Sequence, residues 1–203
     1  KQLEKHGLSG EQLTFSRHAI WKMARNYTKE AGVRQLEREI GNICRKAAKE
    51  ILTTDRGKIA VTDRNIHRFL GKEKYTYQMA NPAPEIGIVR GLAWTSVGGD
   101  TLQIEVNVMP GSGEIMLTGQ LGDVMKESAQ TGISYIRSVS RKYGIPEDFF
   151  EKHDIHVHIP EGAVPKDGPS AGITMATAML SAITEKKVRA GLAMTGEITL
   201  RGR

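Results

Sequence analysis

Three observations predict an α+β chain in two parts. Residues 1–71 carry apolar residues mostly at helical spacing, interrupted by one short β-type run. From Ile86 the pattern changes to strand alternation and Gly-rich turns. Beyond Gly122 two long helical patterns enclose a further strand, the sheet-plus-helix order of an α+β domain. The expected organisation is a helical module at 1–71, a connector at 72–85 and an α+β domain at 86–203. At 203 residues, with 39% hydrophobic and 26% charged content, the chain can bury one or two ordinary cores.

In the first module Ile20, Met23, Ala24 and Tyr27 recur at i, i+3, i+4 and i+7, with Ser16 as N-cap and Gly32 as breaker. Val33, Leu36, Ile40, Ile43, Ala47 and Ile51 form a second stripe, long enough for about five helical turns. Ile59-Ala60-Val61 is a tiny strand. Thr62 is expected to cap a last helix with Ile66, Phe69 and Leu70, closed by Gly71. Helices and one short strand make a lid or an adaptor.

Residues 72–85 mix charge with Pro82 and Pro84 and have no helical period, so they are expected to be a connector. Ile86 to Trp94 and Leu102 to Val108 are strands about the turn Gly98-Gly99-Asp100. The turn Pro110 to Gly113 and the run Ile115 to Leu117 complete an expected meander. Gly122 opens a helix with Met125, Ala129, Ile133, Ile136, Val139 and Tyr143 on one face, ended by Gly144 and Pro146. One more helical turn is expected at Pro146 to Phe150. Strand Ile155 to Ile159, a loop, the apolar helix Ile173 to Ile183 and a strand at Leu192 to Met194 follow. Trp94, Phe149 and Phe150 are expected core aromatics.

The net charge of +6 is uneven: residues 1–71 hold 15 Lys/Arg against 8 Asp/Glu, and residues 72–203 hold 14 against 15. An anionic partner, nucleotide phosphate or nucleic acid, is therefore sought on the first module. The single Cys44 excludes an internal disulfide, suits a reducing cytosol, and falls on the second apolar stripe as a buried thiol. No signal-peptide pattern and no run of membrane-spanning length is present, so a cytoplasmic location is expected.

Chemistry concentrates in Pro165-Lys166-Asp167-Gly168-Pro169-Ser170-Ala171-Gly172. Asp167 is a good N-cap and Pro169 suits a first turn, so Ser170 is expected at the head of the apolar helix. Free backbone N–H groups and the positive end of the helix dipole gather there, which favours an alkoxide and an oxyanion. Two other readings exist. Ser170 suits a plain capping role, and Gly168-x-Ser170-x-Gly172 matches the nucleophile elbow. The elbow requires a strand ending at the serine, whereas Pro160, Gly162 and Pro165 intervene here.

The octapeptide resembles the active-site segment of the Lon family of ATP-dependent serine proteases. The resemblance continues through His153-Asp154-Ile155-His156-Val157-His158-Ile159-Pro160-Glu161-Gly162-Ala163 and Ala193-Met194-Thr195-Gly196-Glu197-Ile198-Thr199-Leu200-Arg201-Gly202. Tyr27 to Arg38 resembles the sensor-2 stretch of the small α-subdomain of the family's AAA+ ATPase. The resemblance covers essentially the whole chain and implies a truncated proteolytic domain after an ATPase lid.

It implies Ser170 as nucleophile and a lysine as its base, which must be neutral near pH 7, as burial of an amine achieves. In the family that lysine follows the Thr-Leu-Arg-Gly segment, so it is expected beyond Arg203, and the chain as written is expected to be inactive. Lys166, Lys186 and Lys187 lie in polar loops where an amine stays charged. Gly168, Pro169 and Ala171 form the expected oxyanion loop. Thr195 is implied to hold the lysine, Asp167 to pair with it in a resting state, and Glu105 to face the site from its strand. Arg34 is the implied sensor of ATP with Mg2+; its alternative is an ion pair with Glu30 or Glu37. With no G-x-x-x-x-G-K-[ST] loop the chain is expected to bind no nucleotide alone. The implied partners are unfolded or regulatory protein substrates and a homo-hexamer, with DNA as an alternative partner of the basic module and no membrane. His156 and His158 share a strand face, but no third metal ligand is evident, so no metal is expected.

Overall fold

The computed structural model describes residues 1–76, 80–160 and 165–203. They divide into two units, Lys1–Tyr77 with Ser96–Gly98, and Gln78–Thr95 with Gly99–Arg203, each with its own apolar core. Residues 77–79 of the expected connector and 161–163 of the histidine-to-serine block lie outside the described residues.

The first unit runs α1 (Gln2–Lys5), β1 (Leu13–Phe15), α2 (Arg17–Lys22), a π-turn (Met23–Tyr27), α3 (Arg34–Thr53), β2 (Ile59–Val61) and α4 (His67–Leu70). Ser16 caps α2, its Oγ accepting from the Ala19 N–H at 3.0 Å. The buried side of this segment is Ala19, Met23 and Tyr27, whereas Ile20 is 40% exposed and Ala24 is also exposed. The wide π-turn takes more than four residues per turn, so it swings the expected stripe by one position. The helix ends at the extended Thr28, before Gly32 is reached.

Along α3, Ile43, Cys44 and Ala47 are buried, with Leu36, Ile40 and Ile51 packed against them. Val33, expected on this stripe, is instead the exposed N-cap residue. The strand at 59–61 has a partner the sequence did not show: β1 pairs with it in parallel, Leu13 against Ile59 and Phe15 against Val61. Three residues are too few to carry a period. Thr62 does not cap α4 by its side chain. Its N–H donates to Asn65 Oδ1 at 2.8 Å, so a turn precedes a helix of a single turn, closed by Gly71 at φ +77.

The second unit runs β3 (Ile88–Thr95), β4 (Gly98–Pro110), β5 (Ile115–Thr118), α5 (Asp123–Ser138), α6 (Ser140–Tyr143), α7 (Phe149–Lys152), β6 (His153–His158), a 3-10 turn (Pro169–Ala171), α8 (Gly172–Thr184) and β7 (Ala193–Met194). Strand order is β5-β6-β4-β3-β7. The expected meander is therefore interrupted: β6 enters between β4 and β5, antiparallel to the first and parallel to the second. The cause sits at its start. Asp154 Oδ1 accepts from the N–H groups of Ser112, Gly113 and Glu114 at 2.9, 3.0 and 2.8 Å, so the turn after β4 closes around a β6 carboxylate. Gly111 makes room, since a Cβ there would stand 2.0 Å from Asp154 Cγ.

One sheet face packs on α5 and α8. Ile104, Ile155, Val157 and Ile159 meet Met125, Ala129, Ile133, Ile136, Met175 and Met179, each fully buried aliphatic side chain contributing about 1.5–3 kcal/mol. The two helices approach closely at Gly132, where a Cβ would meet Met179 Cε at 3.1 Å and Ala176 Cβ at 3.3 Å. Phe149 and Phe150 pack against this core. Trp94 does not: it is 85% exposed. With Val89 facing the helices, the period of two turns Arg90, Leu92 and Trp94 to the other face.

Backbone donation from Glu114, then Ser112 and Gly113, holds the Asp154 carboxyl below the usual aspartate range. A depressed carboxylate stabilises the fold above its unfolded pKa of about 3.9 and loses that contribution as pH falls through the folded value. Asp154→Ala is thus expected to lower the melting temperature at pH 7, with the gap to the parent chain narrowing below about pH 4. A gap independent of pH would show that the charge is not what matters.

Candidate active site

Ser170 lies in the middle of the 3-10 turn Pro169–Ala171, which leads directly into α8. It is exposed, and among the described residues its hydroxyl has no hydrogen-bond partner. Its backbone is firmly held. Gly196 N–H donates to the Ser170 carbonyl at 2.7 Å, and Ile173 N–H donates to the Gly196 carbonyl at 3.0 Å. The segment after β7 therefore crosses the head of α8. Thr195 arrives with it, its Oγ1 donating to the Ser170 carbonyl at 3.5 Å. Gly172 permits the crossing, as a Cβ there would stand 3.1 Å from Ile198 N. Thr195 and Ser170, separated by 25 residues in sequence, are thus adjacent.

Asp167 does not cap α8 as its position suggested. Its Oδ1 accepts from Gly168 N–H at 2.9 Å and from Met125 N–H at 3.1 Å. Met125 is the third residue of α5, so Asp167 caps the neighbouring helix across the loop. The reason is at Gly122, the N-cap of α5, which has no side chain to do the job and leaves room for one from outside. A Cβ at Gly122 would stand 2.3 Å from Asp167 Cγ. Two more bonds zip the segments together: Gly122 N–H to the Lys166 carbonyl at 2.7 Å, and Lys166 N–H to the Gln120 carbonyl at 3.1 Å. Lys166 Nζ points back to the Gly119 carbonyl at 3.3 Å rather than toward Ser170. Gly168 takes φ +135, a conformation suited to glycine alone, and Pro169 has no N–H to offer.

Glu105 lies on β4, on the face away from the helices, with Gln103 Nε2 donating to its Oε1 at 2.8 Å. Directly across from it on β6 is His158. Thr118 Oγ1 lies 2.7 Å from His158 Nδ1 and 2.9 Å from His156 Nε2, so the two rings share one hydroxyl. Among the described residues no group of three His, Cys, Asp or Glu is placed to hold a metal ion.

Arg34, the first residue of α3, is exposed. Neither expected ion pair forms. Glu30 turns its carboxylate onto the start of α3, accepting from the N–H groups of Gln35 and Leu36 at 2.9 Å each, and Glu37 accepts from Gln2 Nε2 at 2.9 Å. This cap was missed in the sequence because Glu30 precedes the helix by four residues.

A serine at the head of an apolar helix in an α+β domain, next in sequence to a helical unit with an open arginine, is the layout of a protease domain joined to an ATPase lid. Residues 60–203 match the family model described as Lon protease (S16) C-terminal proteolytic domain, and residues 4–59 match that of the Lon protease AAA+ ATPase lid domain. The chain belongs to the Lon protease family. It is 58% identical to the Lon protease of Desulforamulus reducens, 56% to Lon protease 1 of Bacillus subtilis and 55% to the Lon protease of Lachnoclostridium phytofermentans. Each comparison covers the whole of this chain and 25%, 26% and 30% of the relative. The chain thus spans about a quarter to a third of these proteins' length.

The Gly122–Asp167 fit yields a stability test. Gly122→Ala is expected to cost about 1–3 kcal/mol by forcing Asp167 off α5. Asp167→Ala should cost about 1 kcal/mol for the lost cap. In the double variant the clash is gone, so chemical denaturation should give less than the sum. Additive losses would show that the two residues act separately.

Proposed function

We propose that this chain is the lid and protease portion of an ATP-dependent serine endopeptidase that degrades unfolded and regulatory proteins, with Ser170 as nucleophile and a lysine that follows Arg203 in sequence as base. One observation carries the reading: the Ser170 hydroxyl is exposed and uncommitted while its backbone is pinned by Gly196. A rigid backbone with a free hydroxyl is what attack on an amide needs.

In the reaction proposed, the lysine amine takes the Ser170 proton as Oγ bonds to the substrate carbonyl carbon. The oxyanion is held at the head of α8. Because Gly168 N–H is spent on Asp167 and Pro169 has none, the loop's contribution falls to the amides at Ser170 and Ala171. The C–N bond then breaks, the amine leaves with the proton from lysine, and water releases the acyl group by the reverse steps. Thr195, beside Ser170, is suited to hold the lysine by its hydroxyl. Asp167, with one oxygen committed to α5 and Gly168, keeps the other for the lysine in a resting state.

ATP with Mg2+ would supply the free energy for feeding substrate to the protease. The open guanidinium of Arg34 fits a phosphate, and its fork of donors suits that geometry. No other part of a nucleotide cradle is recognisable in these 203 residues. The family supports assembly as a homo-hexamer, and a cytoplasmic setting is consistent with the lone buried Cys44. No helix among the described residues is long and apolar enough to cross a membrane.

A second reading has its own observation. Arg34, Arg38, Arg45 and Lys49 form an exposed stripe along α3, and among the described residues none is ion-paired. Such a ridge suits a DNA backbone, and its mark would be retention that falls steeply with salt.

The test of the main reading is hydrolysis of a fluorogenic peptide by the full-length protein, with and without ATP. Ser170→Ala should lower kcat by about 10³-fold or more. Arg34→Ala should abolish the ATP response while leaving basal peptide cleavage near the parent level. Full activity in Ser170→Ala would remove the nucleophile assignment. The same 203 residues alone should cleave nothing above background.

A further inference from the structure

The three threonines of α8 do not behave alike. Thr177 and Thr184 donate back to the carbonyls four residues earlier, Ile173 at 2.8 Å and Leu180 at 2.7 Å, the ordinary habit of a threonine inside a helix. Thr174 is fully buried, and its Oγ1 donates instead to the Met194 carbonyl at 3.3 Å, out of its own helix. The carbonyl four residues before Thr174 belongs to Ser170, and Gly196 N–H already fills it at 2.7 Å. A buried hydroxyl left unmatched is costly, so Thr174 takes the acceptor that the crossing segment brings.

The result is an exchange between the head of α8 and the segment that crosses it. Met194 accepts from Thr174, Thr195 Oγ1 donates to the Ser170 carbonyl at 3.5 Å, and Gly196 both donates to Ser170 and accepts from Ile173. Three successive residues are thus fastened to α8. The Met194 bond is the one at the sheet. Met194 lies opposite Gly91 of β3, and a Cβ at Gly91 would stand 3.5 Å from Thr174 Oγ1. Thr174 therefore fixes where the segment leaves the sheet, one residue before Thr195 and two before the donor that pins Ser170.

We propose that Thr174 is a positioning residue for the reaction at Ser170: its hydroxyl, through Met194, holds Thr195 and Gly196 where they fix the serine's backbone. This rests on the reading above of Ser170 as nucleophile. Thr174 touches no reacting atom. It acts only through the Met194 carbonyl, so it bears on the rate of attack and not on the binding of substrate.

Peptide hydrolysis by the full-length protein tests this with Thr174→Val, which keeps the shape of the side chain and removes the donor. The expected result is a kcat about 10-fold lower with KM unchanged. Thr174→Ala also lacks the donor and should lose as much, whereas Thr174→Ser restores it and should recover most of the rate. Thr177→Val is the control. It deletes the equivalent hydroxyl from the same helix, where the bond stays within α8, and should leave kcat unchanged. A purely structural Thr174 predicts instead a lower melting temperature with the kcat of the folded enzyme unaltered. Thr174→Val combined with Thr195→Val should lose less than the two single losses multiplied together, because both act on the same segment. An unchanged kcat in Thr174→Val, an equal loss in Thr177→Val, no recovery in Thr174→Ser, or independent losses in the double variant would each overturn the proposal. Activity surviving Ser170→Ala would count against the nucleophile assignment itself. An inactive Ser170→Ala beside an unimpaired Thr174→Val would remove this inference alone, so the two failures are separable.

Discussion

One carboxylate sets the geometry of the serine loop. Asp167 sits three residues before Ser170, but besides the adjacent Gly168 N–H its carboxylate accepts from the start of α5, 42 residues earlier in the chain. A helix start lacking its own capping side chain leaves N–H groups to be satisfied from elsewhere, and Gly122 makes α5 such a helix. The loop is therefore held to α5 on one side and to the Thr195–Gly196 segment on the other. Ser170 stands between those two anchors with its hydroxyl uncommitted. Rigidity of the backbone and freedom of the side chain are both consequences of where the neighbouring donors and acceptors lie.

The same arrangement explains what sequence could and could not foretell. Helices with a clear stripe were legible: Ile43, Cys44 and Ala47 in α3, and Met125, Ala129, Ile133 and Ile136 in α5, are buried in the two cores. Period and composition suffice there because packing rewards the same face throughout. Ile20 and Ala24 were misread because a π-turn changes the period within the segment, and no residue type announces it. Trp94 was misread by residue type, although the period of two, with Val89 buried, already placed it outside.

Caps were the least legible feature of the site. Asp167 and Glu30 are both acidic residues before a helix, and local rules assign each to the residues just after it. Glu30 does cap its own helix, from an unusual distance, and in doing so leaves Arg34 without the expected partner. Asp167 caps another helix altogether. The difference is set by chain folding at Gly122, whose significance is invisible until the loop is brought beside it. The placement of β6 has the same origin: Asp154 satisfies three N–H groups of a turn some 40 residues earlier, and the meander opens to admit its strand.

Strand β6 then links the two faces of the sheet. Ile155 and Val157 point into the core beneath α5 and α8, which fixes the strand's height and register. With that register fixed, His156 and His158 must emerge on the opposite face, His158 against Glu105 and Thr118. The polar row on β4 is bound to the same register, because a slip by one residue would drive Gln103 and Glu105 into the apolar core. The buried charge of Arg90 deepens that constraint, since it is satisfied only when Thr101 and Gln103 face it. Core packing and polar pairing thus demand one and the same alignment of β3, β4 and β6. A sheet aligned by two independent requirements keeps Glu105 and the histidines at fixed positions on the face opposite α5 and α8.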